Sequence, residues 1–248
     1  MPVLPECNST LIACGMTNPG LVRENNEDSF LVRPEIGVLS VADGMGGAAA
    51  GEVASAIFIS QVDALIDRPV NMQVQAVEIV KHIFLSANQA IIKHAEENPN
   101  HAGLGCTAEL VIFCEDGYVL GHVGDSRSYL YRSRHLKQLT KDHTVVQEQL
   151  DEGLLTEEEA ASHPMRNVIV RAVGVNETLA VDIIRGSYRT GDIFLLCSDG
   201  LTDMVPDARI ESVIGSGLAP KEICGVLVEM ANNAGGRDNI TVLIGEVT

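Results

Sequence analysis

Tryptophan is absent from this 248-residue sequence, and aromatic residues account for only 4% of it. A hydrophobic core must therefore be built mainly from Leu, Ile, Val and Ala, and hydrophobic residues, at 46%, are abundant enough to build one. No apolar run approaches the length of about 20 residues that a membrane-spanning helix requires. No basic stretch followed by an apolar one marks a secretory signal. We therefore expect a cytoplasmic protein that makes no contact with a membrane.

Paired cysteines and positive charges are also scarce. The six cysteines form no C-x-x-C pair, which favours reduced thiols over a disulfide framework. None of them is followed six positions later by Arg, so the C-x5-R loop of cysteine-dependent phosphatases is excluded. Lys and Arg number 17 against 34 Asp and Glu, which gives a net charge of −17. Such an acidic surface repels nucleic acids and anionic lipids, so we expect neither as a partner.

The order of the predicted elements favours an α+β domain. Helices are predicted over roughly 50–66, 70–97 and 219–233, and a hairpin turn at 115–117 joins two apolar strands. Hairpins and helix pairs come in blocks instead of alternating as β-α-β units, which predicts helices layered on largely antiparallel sheets. Neither a repeat nor a Pro/Ser-rich linker interrupts the chain, so residues 1–248 are predicted to form one domain.

The stretch VADGMGG, Val41–Gly47, ends an apolar, β-branched run that is typical of a buried strand. Its continuation to Ala49 matches the G-x-G-x-x-A fingerprint of dinucleotide-binding proteins, with a predicted helix after it. However, Asp43 directly before the first glycine would repel a pyrophosphate. The second strand that this fingerprint requires is replaced by a predicted helix. Nucleotide binding is therefore the weaker interpretation of this motif.

Carboxylates adjoin five of the predicted strands. Asp-Gly or Gly-Asp pairs end three strands and acidic residues precede two others; they are Asp43, Asp125, Asp199, Glu27, Asp28 and Asp238. An Asp-Gly pair is also an ordinary turn, as Asp116-Gly117 illustrates. Carboxylates about 4 Å apart at one rim would repel by roughly 4 kcal/mol at an effective dielectric of about 20. Cations are then needed among them, and all-oxygen ligands suit Mg²⁺ or Mn²⁺ better than zinc.

Eight short motifs occur in order along almost the whole chain. They are RENNEDS (23–29), VADGMGG (41–47), GCTA (105–108), VGDSR (123–127), LTKDH (139–143), NVIVRAVG (167–174), SDGL (198–201) and DNIT (238–241). Together they resemble the motifs of the metal-dependent Ser/Thr protein phosphatases of the PPM (PP2C-like) family, in its compact bacterial form. The resemblance implies a four-layer α-β-β-α sandwich, in which two largely antiparallel sheets are flanked by antiparallel helices.

The same resemblance implies a set of metal ligands at matching positions. Asp43 would bridge two Mn²⁺ or Mg²⁺ ions, and the carbonyl oxygen of Gly44 would bind one of them. Asp199 and Asp238 would complete the other. Asp125, together with Asp199, would help to bind a third and weaker ion.

Further positions would surround these ions. Glu27 and Asp28 would hold metal-bound waters in the outer shell, and Arg23 would bind the substrate phosphate. The polar segment 142–167 matches the family's flap, a segment beside the active site that influences substrate choice. We expect this segment to form short helices, with Thr156 as an N-cap.

The implied activity is hydrolysis of phosphoserine and phosphothreonine by a water that bridges two ions, without a protein nucleophile. Phosphorylated proteins would be the substrates, a bacterial Ser/Thr kinase a plausible partner, and a monomer the default state. The alternative is a non-catalytic phosphoprotein-binding module of the same fold. Such modules bind phosphate with clustered Arg, whereas the predicted site is rich in carboxylates.

Met45 is a departure from many eukaryotic relatives, which carry a His there as the proposed acid for the leaving group. Methionine carries no dissociable proton, and the seven histidines offer no evident replacement. His122 falls within a predicted strand, and His143 and His163 lie in or near the flap. We therefore expect a metal-bound water or the solvent to protonate the leaving group.

Overall fold

The computed structural model describes residues 11–46, 51–161 and 163–248. The start of the first predicted helix, at Ala50, and Gly47 of the glycine motif lie outside the described residues. The strands in the described segments are β1 (Leu11–Asn18), β2 (Asp28–Arg33), β3 (Val38–Met45), β4 (Gly105–Cys106), β5 (Ala108–Cys114), β6 (Gly117–Val123), β7 (Arg127–Arg132), β8 (His135–Gln138), β9 (Asp182–Gly186), β10 (Ile193–Cys197) and β11 (Ile240–Val247). The α-helices are α1 (Gly51–Leu65), α2 (Gln73–Glu97), α3 (Val145–Asp151), α4 (Glu157–Ala161), α5 (Asp199–Thr202), α6 (Asp207–Ile214) and α7 (Pro220–Asn233).

The strands form two sheets. One sheet has the order β1-β11-β10-β7-β8, and the other has the order β2-β3-β5-β6-β9, with the short β4 beside the end of β3. The pairings within these two sheets are antiparallel. This arrangement follows from the hairpins and block order of the sequence, because strands joined by short turns pair antiparallel.

Three hydrophobic clusters separate four layers. Successive side chains of β3 point to opposite faces, so Val38 and Ala42 pack against α1 and α2, whereas Leu39 and Val41 face the other sheet. The middle cluster also includes Phe194 of β10, and a third cluster joins the far face of β10 and β11 to α5, α6 and α7. The predicted α-β-β-α sandwich is therefore confirmed.

Several predicted element boundaries were wrong. The strand expected to end before Asp43 begins at Val38 and continues to Met45, because β2 and β4 extend its pairing. The helix expected from residue 70 begins at Gln73. The sequence did not predict β8, a short edge strand with one buried side chain, or the short helices α5 and α6. No helix in the described part of the chain is both long enough and apolar enough to cross a membrane.

Candidate metal centre

The pairing of β2 with β3 places Asp28 directly opposite Asp43. The backbone of Asp43 is held on its other side by Thr107, whose hydroxyl accepts from the Asp43 N–H at 3.0 Å and whose own N–H donates to the Asp43 carbonyl at 2.9 Å. Burial, followed by the carboxylates of Asp28 and Asp199, raises the pKa of Asp43 well above its ordinary value. Two strands and a loop therefore fix the central carboxylate of the predicted site.

Asp28, on β2, is buried beside Asp43 and forms hydrogen bonds that connect its sheet to the other one. Its Oδ2 accepts hydrogen bonds from Ser198 Oγ at 2.7 Å and from Thr241 Oγ1 at 2.6 Å, both on the opposite sheet or at its end. Its Oδ1 is buried without a hydrogen-bond partner. Burial raises the pKa of Asp28 to about 6, although both hydroxyl groups favour the charged form. A buried, unpaired carboxylate oxygen is costly, so this site requires a further polar partner.

Asp125 reaches the same region from the turn after β6. Gly124 has φ 112°, and a Cβ atom there would lie 2.6 Å from the Thr107 side chain, so only glycine fits this turn. The Oδ1 atom of Asp125 is buried without a partner. Burial, followed by the Asp142 carboxylate, raises the pKa of Asp125 to about 7.

Asp199 and Asp238 come from the second sheet. Burial, followed by the Asp125 carboxylate, raises the pKa of Asp199 well above its ordinary value. Asp238 accepts from Arg23 Nη2 at 2.7 Å through its Oδ2 atom, and from the Asn239 N–H at 2.8 Å through Oδ1. The Arg23 side chain is 56% exposed, so a ligand in solution can reach this guanidinium.

One cavity of about 410 Å³ collects the predicted residues. Its lining includes Arg23, Glu27, Asp43, Gly44, Asp125, Asp199 and Asp238, together with Met45, Gly46, Thr107, Asn167, Ile169 and Asn239. Of the two residues expected in the outer shell, Glu27 lines the cavity and Asp28 does not. In residues 11–46, 51–161 and 163–248, no group of three or more His, Cys, Asp or Glu side chains is already arranged to hold a metal ion. At Asp238, both carboxylate oxygens are engaged in hydrogen bonds.

The donor set nevertheless fits hard divalent cations. The cavity combines carboxylates whose charged forms are disfavoured by burial and by one another, and Asp28 and Asp125 each carry a buried oxygen without a partner. Bound cations would relieve both conditions. At Gly44, a Cβ atom would lie 2.2 Å from the Gly51 carbonyl oxygen and 2.5 Å from that of Glu27. A residue with a side chain is therefore excluded there, and the backbone itself lines the cavity.

The flap begins and ends beside this cavity. Asp142 receives hydrogen bonds from Arg127 Nε at 2.9 Å and Nη2 at 2.7 Å, which ties the start of the flap to β7. At its end, Asn167 Nδ2 donates to Asp203 Oδ2 at 2.7 Å. A second cavity of about 340 Å³ lies between the flap and the sandwich and shares Asp125, Asn167 and Asp199 with the first. The predicted N-cap at Thr156 is confirmed, since its hydroxyl accepts from the Glu159 N–H at 3.3 Å.

Histidine is absent from the described lining of the metal-centre cavity, which instead contains Met45. His122 is fully buried and pairs through Nδ1 with the buried Glu109, as a structural histidine would. The His143 ring packs against it, tilted by 36°, with ring centroids 4.4 Å apart. Its Nδ1 accepts the Gly124 N–H at 3.0 Å, so it acts on the backbone beside Asp125 and not on the cavity.

Sequence reasoning assigned no role to Thr107, Asn167, Ile169 or Asn239, although all four line the cavity. Thr107, Asn167 and Asn239 stand within the GCTA, NVIVRAVG and DNIT motifs, and Ile169 within the second of these. The motifs therefore contained all four residues, although no role was assigned to them. The hydrogen bonds that give these residues their roles connect distant parts of the chain.

Comparisons with known proteins agree with this geometry. A family model described as protein phosphatase 2C matches residues 22–228. The serine/threonine phosphatase stp of Listeria monocytogenes is 37% identical over 235 residues, which cover 93% of each chain. The structure of the Mycobacterium tuberculosis serine/threonine phosphatase PstP/Ppp superposes with a TM-score of 0.89 at 39% identity, covering 95% of this chain and 98% of that one. The catalytic domain of PstP in complex with two manganese ions superposes with a TM-score of 0.87 at 37% identity, covering 97% and 100%.

Proposed function

Because the chain belongs to the protein phosphatase 2C family, we propose that it is a metal-dependent protein serine/threonine phosphatase acting at the 410 Å³ cavity. The observation that carries the proposal is the convergence of Asp43, Asp125, Asp199 and Asp238 in this cavity beside Arg23. Carboxylates in such number bind cations, and a phosphate monoester is attracted to cations and to a guanidinium. Phosphorylated serine or threonine on a protein is therefore the substrate class that the site suits.

Two manganese or magnesium ions would be held by Asp43, the Gly44 carbonyl, Asp199 and Asp238. When bound, such ions make water a strong nucleophile near neutral pH and neutralise charge on phosphate oxygens. Asp125 would contribute to a third ion. Glu27 and Asp28 would hold water around the ions, and the unpaired Oδ1 of Asp28 supports this role.

Arg23 would bind the substrate phosphate. Its guanidinium is exposed and already donates to the Asp238 carboxylate, so the same donors match a phosphate oxygen. Binding would position phosphorus for in-line attack by water. The thiols of Cys106 and Cys197 do not compete as nucleophiles, because both are buried and burial raises the pKa of both.

The leaving alkoxide must receive a proton, and the described lining of the cavity contains no histidine to donate it. Met45 lines the cavity at the position where a histidine could stand, and its thioether carries no dissociable proton. Solvent water in the open cavity is therefore the proposed proton source. A single histidine substitution that abolished an acidic pKa governing turnover would contradict this assignment.

The alternative functions have less support. A phosphoprotein-binding module needs clustered Arg, whereas the described lining of the cavity contains Arg23 and several carboxylates. In the dinucleotide interpretation, the Gly44 N–H would face a phosphate, but it donates to the Glu27 carbonyl at 3.1 Å. The sheets also lack the parallel βαβ unit on which that fingerprint depends.

Hydrolysis of p-nitrophenyl phosphate and of a phosphothreonine peptide tests the proposal. We expect turnover with Mn²⁺, none with EDTA, and none in Asp43→Asn. Asp116→Asn is the matched control, because Asp116 accepts the Gln73 N–H at 2.8 Å in a hairpin turn and has no part in the site. Phosphopeptide binding without turnover in the Mn²⁺-loaded protein would instead support the binding module.

Further parts of the proposal concern the setting of the enzyme. We propose a single-domain monomer that acts in the cytoplasm on proteins phosphorylated by a Ser/Thr kinase. The relative preference for Mn²⁺ and Mg²⁺ is measured by titrating each ion into the metal-free protein. A comparison of phosphoproteomes with and without the gene identifies the substrates.

A further inference from the structure

Asn239 is a buried amide that uses all of its hydrogen-bonding groups on one loop. The residue is 4% exposed. Its Nδ2 donates to the carbonyl oxygens of Pro19 at 3.0 Å and Asn25 at 2.9 Å, and its Oδ1 accepts the Glu27 N–H at 2.7 Å. Both N–H groups and the oxygen of one side chain are thus committed to the segment Pro19–Glu27, here called the Arg23 loop.

The Arg23 loop is held by hydrogen bonds and not by regular secondary structure. It contains no helix or strand, and its apical residues Leu21 and Val22 are 70% and 66% exposed. Two further bonds lead to the C-terminal part of the chain: the Leu21 N–H donates to the Gly236 carbonyl and Arg23 Nη2 donates to Asp238 Oδ2, both at 2.7 Å. At the loop exit, Asn26 Nδ2 donates to Thr17 Oγ1 at 2.8 Å. Because Asn239 holds both the entry and the exit of the loop, it limits where Arg23 can lie.

Glu27, at the end of the Arg23 loop, also bonds to the sheet that contains β3. The Glu27 carbonyl oxygen, one peptide from the N–H that Asn239 binds, accepts from the Gly44 N–H at 3.1 Å and from Ser55 Oγ at 2.6 Å. A chain of hydrogen bonds therefore runs from the start of β11 through Glu27 to Gly44 on β3. It connects the backbone next to Asp238 with the backbone that carries Asp43.

We propose that Asn239 is a positioning residue that sets Arg23 and the Glu27–Gly44 backbone relative to Asp238. The inference rests on the proposed function, since it assigns Asn239 its effect through the phosphate-binding Arg23. Arg23 comes from a loop and the carboxylates come from both sheets, and the Asn239 amide binds the backbone at both ends of that loop. Substrate affinity then depends on Asn239 although its side chain touches no substrate.

The kinetic test is a double-substitution cycle with Arg23. We expect Asn239→Ala to raise KM for a phosphothreonine peptide about tenfold, with a smaller effect on kcat. In an Arg23→Ala background, Asn239→Ala is expected to leave KM unchanged, because the guanidinium that Asn239 positions is gone.

The matched control is Asn88→Ala. Asn88 is also buried, at 1% exposure, and bonds Asn176 and Gly174 away from the site, so its loss should lower stability and leave KM unchanged.

A second readout uses the metal-free protein in EDTA. Hydrogen exchange at the amides of Glu27 and Gly44 should accelerate in Asn239→Ala and not in Asn88→Ala. If Asn239→Ala does not fold, Asn239→Asp replaces it, because its carboxylate still accepts from Glu27 but donates to neither Pro19 nor Asn25. That variant should retain protection of the Glu27 amide and still raise KM in a manner that depends on Arg23.

The outcomes separate the inference from the proposed function. If Arg23→Ala raises KM and Asn239→Ala does not, the inference is overturned and the function stands. An equal effect of Asn239→Ala with and without Arg23 also overturns it, since the effect would not pass through the guanidinium. An unchanged KM in Arg23→Ala alone removes the phosphate-binding role on which the inference rests.

Discussion

Replacing His143 by Gln is expected to change how the free energy of unfolding depends on pH. Burial, followed by the positive charges of His122 and Arg171, lowers the pKa of His143 from 6.5 to about 4. The ring is neutral near pH 7, and its Nδ1 must be the unprotonated nitrogen because it accepts the Gly124 N–H. Its Nε2 lies 3.3 Å from Asp182 Oδ2 and 3.0 Å from Arg171 Nη1. A guanidinium only donates, so this cation opposes a second proton on the ring.

The direction of the pH dependence follows from comparing proton binding at His143 in the folded and the unfolded chain. Below pH 6.5 the unfolded chain binds a proton at this histidine, whereas the folded ring does not bind one until about pH 4. Stability from this group is therefore present above 6.5 and is lost as the pH falls towards 4. The difference between the two pKa values corresponds to an upper limit of about 3 kcal/mol.

Urea denaturation of metal-free protein at about pH 7 and about pH 4.5 measures the effect. Between about pH 7 and about pH 4.5, the free energy of unfolding of the wild type should fall by up to about 3 kcal/mol more than that of His143→Gln, because Gln does not titrate. Asn88→Ala is the control, since Asn88 is buried and does not titrate, so its loss should lower stability about equally at both pH values. Identical pH dependence in wild type and His143→Gln would refute the reasoning.

Three further substitutions test separate parts of the structure. Arg23→Ala should raise KM for a phosphopeptide more than it lowers kcat, and steady-state kinetics with an unchanged KM would contradict its phosphate-binding role. Gly124→Ala should destabilise by about 2 kcal/mol or more, because φ is 112° and Thr107 blocks the new methyl group. Gly153→Ala, with φ 69° in the left-handed helical region and open space around it, should cost about 1 kcal/mol, and equal losses of stability in thermal denaturation would contradict the added cost at Gly124. Phe194→Ala, between the sheets, should cost about 3–5 kcal/mol in urea denaturation, and a loss below about 1 kcal/mol would show that the sheets can close the cavity.

The sequence predicted the layered fold and the acidic cluster because both depend on local patterns. Continuous apolar runs in β3 and β11 and the hairpin turn before β6 indicate strands directly. The aspartates could be located because each one adjoins a strand in the sequence. Whether they would meet depended on sheet pairing, which the family resemblance implied; in the structure Asp43 and Asp199 line one cavity.

Other features could not be predicted because their determinants are weak or distant in sequence. The strand β8 has one buried residue, Leu136, and pairs only with β7 in the sheet, so its apolar pattern is too short to detect. Strand β3 extends past Asp43 because β4, some sixty positions later, pairs with it. Asn239 acts on a loop more than 200 positions away, and no local pattern encodes such a contact.

The proposed ligands are divided between the two sheets: Asp43 and Gly44 stand on β3, while Asp199 follows β10 and Asp238 precedes β11. An ion shared by these groups would be a cross-link between the halves of the sandwich. Metal loading should then raise the force needed to pull the sheets apart, and a chain truncated before β10 would lack both distal ligands. Chelation would accordingly weaken the protein mechanically at the same time as it stopped catalysis.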